Sequence, residues 1–184
     1  METILKKGNV SAAVIKIANR CIKMKLPNGK VVDILPEVFQ EISKWIQNED
    51  YAPEGGGYVL GYEHKGTNNI SLEFVTHPQP LDIRSRINFC LRDPLHKQLL
   101  LKARTRKSFY MGVWHTHPQT VPYPSTKDLE DWNDTLIKDK TASDYVFFLI
   151  AGREGTRIWV GDFKTKHITE IFECEKDGDL YKKT

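Results

Sequence analysis

The chain reads as one domain of mixed α/β class, with strands and helices interleaved along its length. Three observations predict this. Turn signals between strand-like runs recur near both ends: Asn28-Gly29 separates Cys21–Leu26 from Val31–Leu35, and Gly152-Arg153-Glu154-Gly155 separates Tyr145–Ala151 from Thr156–Phe163. Between them lie stretches whose apolar residues recur at helical spacing, Val38, Phe39, Ile42, Trp45 and Ile46 in one and Leu129, Trp132, Leu136 and Ile137 in another. The 184 residues suit a single domain with a sizeable hydrophobic core, and no internal repeat or low-complexity segment divides them.

Taken in order, residues 1 to about 13 read as irregular. Cys21–Leu26 alternates apolar and charged residues and pairs through the Asn-Gly turn with Val31–Leu35. Pro36 sits where a helix starts well, since it lacks only an N–H that the first turn leaves unpaired, and the spacing predicts a helix over about 36–48. Gly55-Gly56-Gly57 leads into a buried strand through Tyr62. Asn68-Asn69 turns the chain into the strand Ile70–Thr76, and His77-Pro78-Gln79-Pro80 breaks regular structure. A helix follows over about 93–106, then a strand over Phe109–His115. Ser125 opens a second amphipathic helix, and the strands Tyr145–Ala151, Thr156–Phe163 and His167–Phe172 complete the pattern. A polar tail runs from Glu175 to Thr184.

Composition excludes several classes. A formal net charge of +3 is too weak to argue for nucleic-acid binding. The apolar run Tyr145–Ala151 falls far short of a membrane span, and the N-terminal Met1–Lys7 lacks the apolar core of a signal peptide. A cytoplasmic protein is expected. The three cysteines, Cys21, Cys90 and Cys174, are widely spaced with no C-x-x-C pair, which fits reduced thiols rather than a thiolate metal site.

Chemistry concentrates in Trp114-His115-Thr116-His117-Pro118 followed by Pro124-Ser125-Thr126-Lys127-Asp128. Strand side chains alternate between faces, so His115 and His117 point the same way and two neutral imidazoles can chelate one divalent ion. Asp128 can supply an anionic third ligand, leaving one position open for a water or substrate. A plain structural reading fits equally well: Ser125 and Asp128 have the spacing of a capping box at a helix start. Glu54, just before the glycine run, is the candidate acid/base for hydrolysis, and the glycines would let backbone pass close to a metal or substrate. The plain alternative is a solvated loop glutamate. Ser125 is a candidate oxyanion donor with helix capping as its competing role, and it has no adjacent base that would make it a nucleophile.

Together, Glu54, Gly55-Gly56 through Gly61, His115-x-His117 and Ser125-x-x-Asp128 resemble the JAMM motif of the JAB/MPN metallopeptidases, including the ten residues between His117 and Asp128. The resemblance covers about residues 30–172. Asn88–His96 and Tyr110–Pro118 are similar to a bacterial subgroup found in anti-phage CBASS operons. The resemblance implies a curved mixed β-sheet flanked by helices, with residues 1–29 as an N-terminal extension plus first hairpin strand, 30–172 as the metallopeptidase domain and 173–184 as a tail. It implies that His115, His117 and Asp128 bind one zinc ion, that Glu54 is the acid/base and that Ser125 stabilises the oxyanion. It further implies a deubiquitinase-like isopeptidase acting on a protein conjugate. That conjugate would be a cyclic-oligonucleotide synthase attached by a ubiquitin-like activating/conjugating enzyme, with no nucleic-acid or membrane partner.

Two other classes compete. MPN domains also serve as non-catalytic interaction scaffolds, and two histidines with a carboxylate also serve non-haem iron oxygenases. His64, His77, His96 and His167 lack ligand partners at a useful spacing, and most of them read as surface or loop residues. The basic residues Lys97, Lys102, Arg104, Arg106 and Lys107 read as a solvated helix face. Phe89, Trp114, Trp132 and Trp159 read as core.

Overall fold

The computed structural model describes residues 19–174, so the expectations for residues 1–13 and for most of the tail lie outside the described residues. Within them the element order is β1 (Ile22–Lys25), β2 (Val31–Ile34), α1 (Pro36–Ser43), β3 (Gly56–Glu63), β4 (Ile70–Val75), β5 (Ile83–Ser85), β6 (Asn88–Cys90), α2 (Leu95–Thr105), β7 (Phe109–Thr116), α3 (Thr126–Lys138), β8 (Tyr145–Ala151), β9 (Thr156–Asp162) and β10 (Ile168–Ile171). Eight strands form one mixed sheet in the order β1-β2-β4-β3-β7-β8-β9-β10, and β5 and β6 form a separate small hairpin. The β2–β4 and β7–β8 pairs are parallel and the rest antiparallel.

The sheet curls until its two edges meet. Past β10, Glu173 bridges Met24 on β1, and Cys174 N–H donates to Lys23 O at 2.8 Å. The inner face therefore gathers Ile22 and Met24 from one edge and Val160 and Ile171 from the other into one core. Helix α1 plugs this concavity with Val38, Phe39 and Ile42. The outer face of β8 and β9 is closed by α3, where Trp132 stacks on Phe148 with ring centroids 4.6 Å apart. Because both faces are covered, all seven residues of β8 are buried, which explains its uninterrupted apolar run.

The predicted class and most elements match the structure, with local differences. Helix α1 ends at Ser43 rather than near residue 48. Trp45 and Ile46 still pack on the core, but the chain leaves the helix so that Gln47 turns inward to hydrogen-bond Ala52 O and Arg86 O. On α3 only Trp132 and Leu136 are buried, while Leu129 and Ile137 are exposed. His96 is not a surface residue: it is buried on α2 and its Nε2 lies 2.7 Å from Asp82 Oδ2. The basic residues of α2 and its C-terminal turn are exposed as expected. No described helix is long and apolar enough to cross a membrane.

Candidate metal centre

Register alone brings three of the site residues together. In the antiparallel β3–β7 pair, Gly56 lies opposite His115. The pairing continues past the strand ends, with Thr116 N–H donating to Gly55 O at 2.9 Å, so the next residue back on one side, Glu54, meets His117 on the other. His117 stays extended because its N–H donates to Ala151 O at the end of β8. His115 and His117 thus share a face two residues apart, as strand geometry requires.

Asp128 arrives from a different element. Residues 117–124 run along the β8–β9 turn, held where Arg153 N–H donates to Gln119 O and Glu154 N–H to Thr120 O. Ser125 then caps α3: its Oγ accepts from Asp128 N–H at 3.1 Å, and Asp128 Oδ2 accepts from Ser125 N–H at 2.6 Å. The capping box foreseen as the competing reading is therefore present. It does not exclude a ligand role, because the carboxylate has a second oxygen, and Oδ1 faces His115 Nε2 at 3.1 Å.

The donor atoms converge closely. His115 Nε2 and His117 Nε2 are 3.0 Å apart, and His117 Nε2 is 3.4 Å from Asp128 Oδ2. Ligands at zinc distances in a tetrahedral arrangement sit about 3.3 Å from one another, so these separations fit a common cation. Among the described residues, these three are the group whose ligand atoms could hold a metal ion. Glu54 is buried, 4 % exposed, with Oε1 at 4.0 Å from His117 Nε2. That places its carboxyl beside the cluster rather than within it.

The electrostatics divide the two carboxylates. Burial pushes the Glu54 carboxyl up to about 7, with Asp128 adding to the rise and His117 opposing it. Burial would also raise Asp128, but hydrogen bonds to His115, His117 and Ser125 outweigh it and hold that carboxyl far below the usual range. Burial lowers His115, which favours the neutral imidazole a metal needs. His117 is also penalised by burial, yet Asp128 and Glu54 raise it overall. One carboxylate is thus fixed as an anion and the other is poised to exchange a proton near neutrality.

The cluster forms one end of a cleft of about 510 Å³. Another stretch of its lining, Ile87 to Leu91, comes from the turn and β6 strand of the β5–β6 hairpin, an element the sequence did not predict. Phe89, expected in the core, instead lines this cleft from β6, with its ring pressed against the backbone where a side chain at Gly56 would sit. Trp114 and Trp132 are core residues whose edges also reach the cleft, and Ser125 and Lys127 line its rim. Trp159 is buried beside Trp132 as expected.

A curved mixed sheet that presents two imidazoles and an aspartate to an open cleft, with a buried glutamate alongside, defines a domain built for hydrolytic cation chemistry. The chain belongs to the prokaryotic homologs of the JAB domain, whose family model matches residues 36–161. It is similar to three proteins named CD-NTase/cGAS isopeptidase. The relative from Vibrio cholerae is 28% identical over 148 residues, covering 79% of this chain and 90% of that one. One from Escherichia coli is 29% identical over 134 residues, 71% of this chain and 80% of that one. One from Pseudomonas aeruginosa is 37% identical over 115 residues, 60% of this chain and 71% of that one.

Proposed function

We propose that the protein is a zinc-dependent isopeptidase that hydrolyses the bond between a target and the C-terminus of a conjugated protein. The observation that carries the reading is the 3.0–3.4 Å convergence of His115 Nε2, His117 Nε2 and the Asp128 carboxylate beside a buried Glu54. In this reading His115, His117 and Asp128 hold one zinc ion, Glu54 is the general acid/base and Ser125 the oxyanion donor. When bound, zinc supplies Lewis-acid polarisation and acidifies the attacking water.

The chain's own residues do the rest. Glu54, buried with Oε1 at 4.0 Å from His117 Nε2, would take a proton from the attacking water and return it to the departing amine, a lysine ε-amine or an α-amine. The Ser125 oxygen accepts Asp128 N–H and its hydrogen is donated to Asp128 Oδ2 at 2.6 Å, so to serve the developing oxyanion that hydrogen must exchange the carboxylate for it. Phe89, Leu91, Val113 and Trp132 give the cleft apolar wall on which a substrate chain can pack.

The names of the three relatives support a conjugate of a CD-NTase/cGAS-type protein as substrate. The resemblance of the motifs adds that the conjugate is a cyclic-oligonucleotide synthase linked by a ubiquitin-like activating/conjugating enzyme in anti-phage defence. Residues 30–172 form the catalytic unit in this reading, residues 1–29 an extension that adds β1, and 173–184 a tail. The protein works in the cytoplasm, where the free thiols Cys21, Cys90 and Cys174 are at home. The test is incubation of the purified protein with such a conjugate, with and without a zinc chelator. Release of the free synthase that chelation stops supports the reading, and release that chelation leaves untouched contradicts it.

A further inference from the structure

Beyond the cluster, a chain of buried hydrogen bonds runs behind it. Thr116, between the two histidines, is fully buried, and its Oγ1 accepts Gly55 N–H at 2.8 Å. Its own hydrogen goes to Gln47 Oε1 at 3.1 Å. Gln47 is likewise 0 % exposed, and its Nε2 donates to Ala52 O at 2.9 Å and to Arg86 O at 2.8 Å. Two carbonyl acceptors require the NH₂ group on that side and a hydroxyl donor requires the oxygen on the other, so the orientation of the carboxamide is determined. The hairpin holding Arg86 grips Glu54 in turn: Glu54 N–H donates to Ser85 O at 2.8 Å, and Arg84 Nε donates to Glu54 O at 2.6 Å.

One side chain thus ties the strand carrying the two histidines, the loop before Glu54 and the tip of the cleft wall. A buried carboxamide costs free energy unless every polar atom is matched, and a purely packing role at this point needs no polar group. We propose that Gln47, acting through Thr116 and the Arg86 carbonyl, is a positioning residue that sets where Glu54 stands relative to His115 and His117 and keeps the β5–β6 wall against the cleft. It touches neither the donor atoms nor the cleft. The proposal rests on the isopeptidase reading for its effect on rate and on the geometry alone for its effect on Glu54.

The experiment compares Gln47→Met, which keeps the length and removes the hydrogen bonds, with Val32→Ala, a core variant at the far side of the sheet that costs stability only. Two readouts are taken: conjugate cleavage with zinc content, and amide hydrogen exchange. Q47M is expected to lower kcat about tenfold or more with KM little changed and zinc still bound, since small misplacements of a catalytic group cost that much. The Glu54 and Gly55 amides are expected to lose protection in Q47M and to keep it in V32A. Thr116→Val should repeat the Q47M effect, Thr116→Ser should restore most of the rate, and the double variant Q47M/T116V should be no worse than the poorer single one, as for links of one chain. A kcat in Q47M equal to that of wild type or V32A, with unchanged Glu54 and Gly55 exchange, would overturn the proposal, as would losses that multiply in the double variant. Should Q47M not fold, the T116V and T116S pair decides on the same two readouts. A wild-type protein that cleaves no conjugate would refute the isopeptidase reading, and the exchange of Glu54 and Gly55 would still judge the positioning.

Discussion

Glu54 and His117 face each other across the continued β3–β7 register, Glu54 Oε1 lying 4.0 Å from His117 Nε2. The pairing of two strands brings the proposed proton carrier beside a proposed ligand, without making it one of the donors. Effects on Glu54 and effects on the cation should therefore be separable by mutation.

The first consequence concerns Glu54→Gln. The amide keeps the shape but cannot carry a proton, so conjugate cleavage is expected to fall by about 10² to 10⁴ in kcat. Because Glu54 is outside the donor set, bound zinc measured by elemental analysis should match wild type. Loss of zinc together with rate would make Glu54 a ligand instead.

Asp128 caps α3 and is the proposed third ligand, and chelation tells the two roles apart. In chelator-treated protein, Asp128→Ala should still lower stability by about 1 kcal/mol in urea unfolding, because α3 loses its capping box. With zinc present the gap between wild type and variant should widen, since only wild type gains binding energy from the ion. An Asp128→Ala protein as stable as wild type without metal would remove the capping role.

Gly56→Ala tests the cleft wall. A Cβ at position 56 would overlap the Phe89 ring, so the hairpin must move or the ring must turn. The expected result is a cost of about 1–3 kcal/mol in stability with a raised KM. Adding Phe89→Leu should recover part of both. If KM in G56A is unchanged, Phe89 does not shape the substrate path.

Acid should loosen that wall from its base. The buried Asp82 carboxylate would be raised by burial, but the N–H groups of Gln79, Asp93 and Arg92 and the His96 ring hold it below its ordinary value. A carboxyl depressed in the folded state adds stability above its unfolded pKa of about 3.9 and loses it as the pH falls through the folded pKa. The stability difference between wild type and Asp82→Asn should thus be largest above about pH 5 and shrink below about pH 4. A difference that grows on acidification would reverse the assignment.

The legible parts of this molecule were those written in local periodicity. His115 and His117 share a face because strands repeat every two residues, and Ser125 and Asp128 cap because a helix start has that spacing. The choice between capping and ligation was not legible, and the structure shows why: the carboxylate satisfies Ser125 with one oxygen and faces His115 with the other. The early end of α1 was hidden, since Trp45 and Ile46 keep helical spacing while Gln47 answers to partners far along the chain at Arg86 and Thr116. The β5–β6 hairpin escaped notice because its strands are three residues long and largely exposed, without alternation to mark them. His96 looked like a surface residue because its partner, Asp82, is fourteen positions away in sequence.

In the proposed function a cation held by His115, His117 and Asp128 makes this protein cut conjugates. The most direct measurement strips the metal with a chelator, returns zinc stepwise and follows cleavage of the synthase conjugate. Activity should vanish on stripping and rise to a plateau at one zinc per chain, and His115→Ala should show neither. Cleavage that survives stripping, or zinc taken up at one equivalent without any cleavage, would contradict the account.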